Sequence, residues 1–98
     1  MSFVQAGSQE KGVVVVVVWE ESERGWGERP DGYSLHLTPE SVLQFVEDYW
    51  ATMPDEVPDE YSRPTGEVYA TLVESEIYTQ VAASKNGIRF YGQPPPGV

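Results

Sequence analysis

Six consecutive valines, Val13 to Val18, followed by Trp19, constrain the fold of this chain more than any other feature. β-Branched side chains have restricted χ1 angles and suit the pleated surface of a strand. Because the run does not alternate with polar residues, it predicts a strand that is covered on both faces and flanked on both sides. Left unpaired, the same run would promote aggregation. We therefore expect an interior strand at the centre of a sheet.

Length and composition are typical of one small folded domain. A chain of 98 residues, 40% of them apolar, can bury one modest core. We expect residues 13–92 to form this domain, after a flexible polar leader over 1–12 and before an exposed, extended Pro-rich tail over 93–98. The leader lacks the apolar segment of a signal peptide, and cysteine is absent. Both features favour a cytoplasmic protein without disulfides or thiolate metal sites.

The segment after the valine run predicts turns and then a short strand. Residues 20–32 are rich in charge, glycine and proline, and Pro30-Asp31-Gly32 is typical of a turn because proline presets φ and glycine accepts a positive φ. From Tyr33 to Leu37 apolar and polar residues alternate, which is typical of a strand with one buried face. We expect the second strand there.

A helix is predicted over residues 39–53. Thr38 can cap its first turn, and Pro39 suits the first helical position, where no backbone donor is needed. The apolar residues that follow recur at helical spacing, so that Phe45 and Trp50 are expected to anchor the helix on the sheet. Proline disfavours helical geometry in the residue before it, so the helix should end before Pro54.

The second half of the chain predicts a loop, two strands and a helix. Residues 54–66 contain three prolines and a glycine, which favours a loop. Alternating residues predict a strand over 68–73, and a shorter helix over 75–85 follows, with Asn86-Gly87 as its left-handed cap. A last short strand is predicted over 88–91. The fold class is therefore α+β, in the order β-β-α-β-α-β, with a four-stranded mixed or mainly antiparallel sheet and two helices on one face.

The charge of the chain is strongly negative. Six Lys and Arg against sixteen Asp and Glu give a formal net charge of −10. Such a charge argues against binding to long nucleic acid or to an anionic membrane surface, and the valine run is too short to span a bilayer. It favours a basic protein partner. A short, cysteine-free chain with dense acids is typical of accessory proteins of phages and mobile elements.

One segment concentrates the acids. Between Pro30 and Ser62 there is no Lys or Arg, yet eight of the sixteen acids lie there. We define the anionic tract as its helix and loop members, which are Glu40, Glu47, Asp48, Asp55, Glu56, Asp59 and Glu60. A surface of one sign attracts basic protein surfaces over about a Debye length, and it can imitate the phosphates of a nucleic acid. A solvated helix face and loop is the simpler interpretation of the same residues.

A second set of residues suggests a small anionic ligand. Several arginines lie within a few residues of an aromatic side chain, mostly in turn-like segments. This arginine–aromatic set consists of Arg24, Trp26, Arg29, Tyr33, Tyr61, Arg63, Arg89 and Tyr91. Arginine recognises phosphate and aromatic faces stack on bases, so converging loops could bind a nucleotide-like anion, also at a homodimer interface. Ion pairs with the surplus of acids would explain the same arginines.

Catalytic and metal sites have little support in the sequence. His36 is the single histidine and Ser34 lies on the same face of its strand, but we expect an ordinary exposed or edge histidine without hydrogen-bond geometry to the serine. The carboxylates of 55–60 come in adjacent pairs without the glycine of a calcium loop. We therefore predict no catalytic residue, no cofactor and no metal.

Three functions remain open at this point. The first hypothesis is a non-catalytic acidic interaction protein, an inhibitor or nucleic-acid mimic, whose anionic tract docks on a basic partner. The alternative is a binder of a nucleotide-like anion that uses the arginine–aromatic set. An enzyme that uses Ser34, His36 or the acidic loop is the minor alternative.

Overall fold

A computed structural model describes residues 11–23, 25 and 27–98 of the chain. The elements, in chain order, are β1 (Lys11–Glu23), β2 (Gly27–His36), α1 (Pro39–Ala51), β3 (Glu60–Glu74), α2 (Ser75–Ala83) and β4 (Ile88–Phe90). The predicted α+β class and the order β-β-α-β-α-β are confirmed. Residues 1–10 of the predicted leader lie outside the described residues, and its last two residues begin β1. Neither helix of the described part has the length and apolar character needed to cross a membrane.

The valine run lies in an interior strand, as predicted. The four strands are ordered β3-β1-β2-β4, so β1 pairs with β2 on one side and with β3 on the other. Every pairing is antiparallel. In the register, Val16 lies opposite Leu35 of β2 and opposite Tyr69 of β3. The backbone groups of the valine run are therefore paired in both directions, which removes the aggregation hazard of an exposed edge.

The strands are longer than predicted, because two expected turn signals lie inside them. Pro30-Asp31-Gly32 does not reverse the chain: β2 continues through it, and its register with β1 shifts there. Gly32 has a φ of 82°, so the positive φ is used for a bulge that bends the strand. A second shift between β1 and β3 coincides with Gly66, and β3 begins already at Glu60.

Local signals set the ends of α1. The Thr38 hydroxyl accepts from the backbone N–H of Ser41, and the Ser41 hydroxyl accepts from the N–H of Thr38, which forms a capping box. The helix ends at Ala51, three residues before Pro54 and two residues earlier than predicted. α2 ends at Ala83, two residues earlier than predicted, and its C-cap is Ser84 in an extended conformation. Asn86 has the expected left-handed φ, 75°, but it lies three residues beyond the helix, so the prediction that Asn86-Gly87 caps α2 is wrong.

The helices pack on opposite faces of the sheet instead of together on one face. Val81 of α2 joins Val14, Val16 and Leu35 in the buried core. Phe45 of α1 instead contacts Trp19 and His36, which alternate with those core residues along β1 and β2. We call these the α2 face and the α1 face. Because successive valines point to opposite faces, apolar side chains need cover on both, and each helix supplies one part.

The described residues, 11–23, 25 and 27–98, cover the α1 face incompletely. Val14 and Val16 of the α2 face are 1% and 0% exposed, whereas Val13 of the α1 face is 56% exposed. On β3, Leu72 opposite Val13 is 46% exposed, and Val68 opposite Val17 is 54% exposed. The expectation that both faces of the valine run are covered therefore holds on the α2 face and is wrong at Val13. The helix α1 packs over β2 and contacts β3 at Tyr61 and Ser62, near the start of that strand and away from Val13.

The Pro-rich tail packs on the sheet and is not simply an exposed extension. The Tyr69 hydroxyl donates to the carbonyl of Pro95, and the Thr71 hydroxyl donates to the carbonyl of Pro96. The N–H of Val98 donates to the Ala70 carbonyl at 3.1 Å. Proline lacks an N–H donor, so the backbone of Pro95 and Pro96 can only accept hydrogen bonds, and it accepts them from these two side chains. The tail thus covers part of β3 at the edge of the sheet.

The two valine faces predict a sharp difference in tolerance to charge. Val16→Asp should lower the free energy of unfolding by at least about 3 kcal/mol, because it buries an unpaired carboxylate. Val13→Asp, three residues earlier in the same strand, should cost less than about 1 kcal/mol because its side chain is half exposed. Urea unfolding of both variants measures the difference. Equal destabilisation would contradict the assignment of the two faces.

Candidate functional site

The anionic tract lies on the surface of α1 and of the loop that follows it. All seven of its carboxylate residues are exposed. Phe45 and Tyr49 pack against Trp19 on the inner side of α1, so helical periodicity turns Glu40 and Glu47 outward. The loop over residues 54–59 then carries three more members of the tract to the start of β3, so that helix and loop present carboxylates in sequence order.

Asp48 and Glu60, both members of the tract, interact with polar residues outside it. Asp48 accepts from the side-chain amide of Gln44 at 2.9 Å and from that of Asn86 at 3.5 Å. Glu60 adds its negative charge to the surroundings of Arg29. The pKa of Arg29 is raised first by a hydrogen bond and the charge of Glu21, and further by the charges of Glu23 and Glu60. The tract therefore borders a cation at its Glu60 end and a neutral amide at Asp48.

An exposed apolar side chain lies within the acidic helix surface. Leu43 is 69% exposed and lies three residues after Glu40 and four residues before Glu47, one helical turn from each. A single exposed leucine is ordinary on a protein surface. Placed between two carboxylates on a helix, it can serve as an apolar anchor inside a charged contact area. Its spacing among the apolar residues of the helix predicts burial, so the exposure of Leu43 is not expected from the sequence.

The described members of the arginine–aromatic set do not converge on one site. Arg29 pairs with Glu21 and, at 3.1 Å, with Glu23. Arg63 pairs with Glu20 and with Glu28, each at 2.7 Å. Both clusters lie where β1, β2 and the start of β3 pair with each other. These guanidinium groups are thus held by carboxylates. Two further members, Arg24 and Trp26, lie outside the described residues.

Arg89 and Tyr91 are brought together. The Arg89 guanidinium lies 4.4 Å from the centre of the Trp19 ring and 5.1 Å from that of Tyr91. It also donates to the backbone carbonyl of Asp31 at 2.7 Å and to its carboxylate at 3.1 Å. The same carboxylate accepts from the Ser62 hydroxyl. Arg89 is therefore part of the contact between β4, β2 and β3.

The remaining aromatic members lie in other places. Tyr33 stacks on Phe90, with ring centres 5.4 Å apart, and Tyr61 packs against Trp50. Near Tyr91 a groove of about 560 Å³ is lined by Pro30, Asp31, Gly32, Tyr91, Gly92, Gln93 and Pro94. Its single charged lining residue is a carboxylate, which does not favour an anion.

The expectation of an exposed histidine without a bond to Ser34 is wrong. His36 and Ser34 are both 0% exposed, and the Ser34 Oγ lies 2.6 Å from the His36 Nε2. The Trp19 Nε1 donates to the Ser34 Oγ at 2.7 Å, and the His36 Nδ1 lies 2.7 Å from the backbone carbonyl of Asn86. A carbonyl only accepts, so Nδ1 carries the proton and Ser34 donates to Nε2.

This buried network stabilises the neutral histidine. Burial lowers the pKa of His36, and the hydrogen bond to the Asn86 carbonyl opposes this in part. Each polar atom of the Trp19, Ser34 and His36 side chains has a partner, as buried groups require. One sequence feature could have predicted this network. The alternation of the strand places Ser34 and His36 on the face opposite Leu35, beside Trp19, which ends the valine run. The pair therefore joins α1, β1 and β2 and is closed to solvent.

Metal binding has no structural support in the described residues. Within residues 11–23, 25 and 27–98, no three His, Asp or Glu side chains lie together in a way that could hold an ion. Asp55, Glu56 and Asp59 of the 54–59 loop are exposed.

The lowered pKa of His36 predicts a pH dependence of stability. The unfolded chain takes up a proton near pH 6.5 and the folded chain only at lower pH, so acid favours unfolding. The free energy of unfolding should fall by up to about 1.4 kcal/mol per pH unit as the pH drops below 6.5. His36→Gln lacks this contribution but keeps the carboxylates. Denaturant unfolding of both proteins at several pH values measures the difference, and identical slopes would contradict a buried neutral histidine.

Comparison with known proteins gives no relative. No family model matches the chain, and no curated protein or solved structure is significantly similar to it. No function therefore carries over to this chain from another protein.

Proposed function

We propose that the protein is a non-catalytic interaction protein whose anionic tract docks on a basic partner protein. The observation that carries this proposal is the exposure of all seven carboxylate residues along α1 and the 54–60 segment. An exposed surface of one sign raises the local concentration of a basic partner and orients it before contact.

The distribution of the arginines supports the same function. Arg29, Arg63 and Arg89 form the ion pairs described above with five acids that are not part of the tract: Glu20, Glu21, Glu23, Glu28 and Asp31. Pairing within the sheet thus compensates much of the acidic charge of β1 and β2. The outer surface of α1 carries its carboxylates without arginine from its own segment, since none occurs between Pro30 and Ser62.

Leu43 adds an apolar component to this surface. Interfaces owe most of their affinity to a few apolar or aromatic side chains that lose water, while surrounding charges guide association. The helix α1 has both features, because the apolar Leu43 lies between the charged Glu40 and Glu47. A partner with an apolar pocket between lysines or arginines fits this arrangement. A groove that normally binds nucleic acid is one surface of this kind, which gives the protein the role of an inhibitor or phosphate mimic.

The buried serine and histidine support the non-catalytic part of the proposal. A catalytic Ser–His pair needs access for a substrate at the serine oxygen. Here Ser34 accepts from Trp19 and donates to His36, and both residues are fully buried. We assign the pair to stability. A chain without cysteine suits the reducing cytoplasm, which we propose as its compartment.

Matched charge reversals test the anionic tract. We expect wild-type protein to bind an unstructured peptide of lysine and glycine, and Glu47→Lys/Glu56→Lys to weaken that affinity by at least about tenfold at low salt. The control, Glu67→Lys/Glu76→Lys, changes net charge equally at exposed positions outside the tract and should weaken it by less than about threefold. Calorimetric titration gives both affinities. Equal losses would show that only net charge matters and would reject the tract as the docking surface.

A further inference from the structure

Beside α1, the sheet leaves an apolar area without cover from the described residues. The cross-strand pairs Val13–Leu72 and Val15–Ala70 point to the α1 face, as does Val68 opposite the buried Val17. We define the open face as Val13, Val15, Val68, Ala70 and Leu72. Three of these side chains are about half exposed, and the other two are partly buried. The same strands are covered on the opposite face by α2 and by the C-terminal tail.

One flank of α1 forms a wall beside the open face. Trp50 packs against Tyr61 of β3, whereas Asp48 contacts Asn86, which precedes β4. The Trp50 side of the helix therefore faces β3. Leu43 and Val46 precede Trp50 at spacings that place them on the same stripe, so this flank is apolar. Phe45 contacts His36, which pairs with Val15, so the Leu43 end of the stripe lies level with the open face.

We propose that an amphipathic, basic helix of a partner protein docks on the open face, alongside α1. This proposal rests on the proposed function and specifies its partner. The floor is apolar, which requires an apolar side on the occupant. The ridge of the wall carries Glu40 and Glu47, which requires lysine or arginine along the occupant's adjacent edge.

The dimensions suit a short helix. From Val13 to Val17 the strand rises by about 13 Å, which equals about nine residues of helix. Such a helix would present apolar residues at positions i, i+3, i+4 and i+7 to the sheet. It would occupy a place on the α1 face that corresponds to that of α2 on the opposite face. A second copy of this chain fits less well, because two chains of net charge −10 repel each other.

Two synthetic peptides test this proposal. Both contain about 14 residues of leucine and lysine in equal composition; one places leucine on a single helical side, and the other distributes it around the helix. We expect wild-type protein to bind the amphipathic peptide at least about tenfold more tightly than the scrambled one. Isothermal titration at moderate salt gives both affinities. Equal affinities would overturn the proposal of an amphipathic helix on the open face. If both peptides bind with measurable and equal affinity, that result would still support the proposed function, which is docking through charge.

Matched variants locate the contact. Val13→Thr/Val68→Thr/Leu72→Thr should abolish the preference for the amphipathic peptide and keep binding to the scrambled one. Threonine preserves strand propensity and these side chains are half exposed, so the fold should persist, which circular dichroism checks. Leu37→Thr/Val57→Thr/Val98→Thr alters exposed apolar residues elsewhere and should retain the preference. A retained preference in the first variant overturns the proposal. Sedimentation gives a second test. If the wild-type protein sediments as a dimer and the Val13→Thr/Val68→Thr/Leu72→Thr variant as a monomer, a second copy covers the open face and the proposal is overturned.

Discussion

The structure depends on removing both faces of one valine strand from water. Six consecutive β-branched side chains alternate between the two sides of β1, so a single covering layer cannot bury them all. The chain supplies α2 and the tail to one side and α1 to the other. On the α2 face Val14 and Val16 are fully covered, but α1 lies over β2 and leaves Val13 half exposed beside β3. Among the described residues, partial cover of this apolar strand is thus a direct consequence of having few covering elements, and it creates the open face next to the anionic tract.

The position of α1 follows from a polar network as much as from apolar packing. No residue of α1 is fully buried, so its contact with the sheet is thin. Trp19, Ser34 and His36 lie beneath it, and their hydrogen bonds are satisfied only when Asn86 also contributes its carbonyl. Phe45 and Tyr49 then pack edge-on against the rings of His36 and Trp19. Such directional contacts hold α1 in one place and keep its carboxylates outward.

Sequence reasoning anticipates the elements better than their arrangement. The valine run predicts an interior strand, and Thr38 predicts the start of a helix. Both predictions are correct because both signals are local. Pro30-Asp31-Gly32 was ambiguous, since a glycine with positive φ serves a bulge as well as a turn. The faces of the helices and the course of the tail depend on long-range contacts that leave no period in the sequence.

In the candidate site, the acids of the tract were visible in the sequence and are exposed as expected. The burial of His36 and the exposure of Leu43 could not be predicted from the sequence, because both depend on how α1 packs on the sheet.

The strand β1 is covered on one face and partly open on the other. Paramagnetic relaxation of methyl groups by a soluble, uncharged gadolinium chelate measures this cover residue by residue in the free protein. We expect strong relaxation of the methyl groups of Val13, Val68 and Leu72 and weak relaxation of those of Val14 and Val16. Equal protection of the Val13 and Val16 methyl groups would show that the open face does not exist in solution.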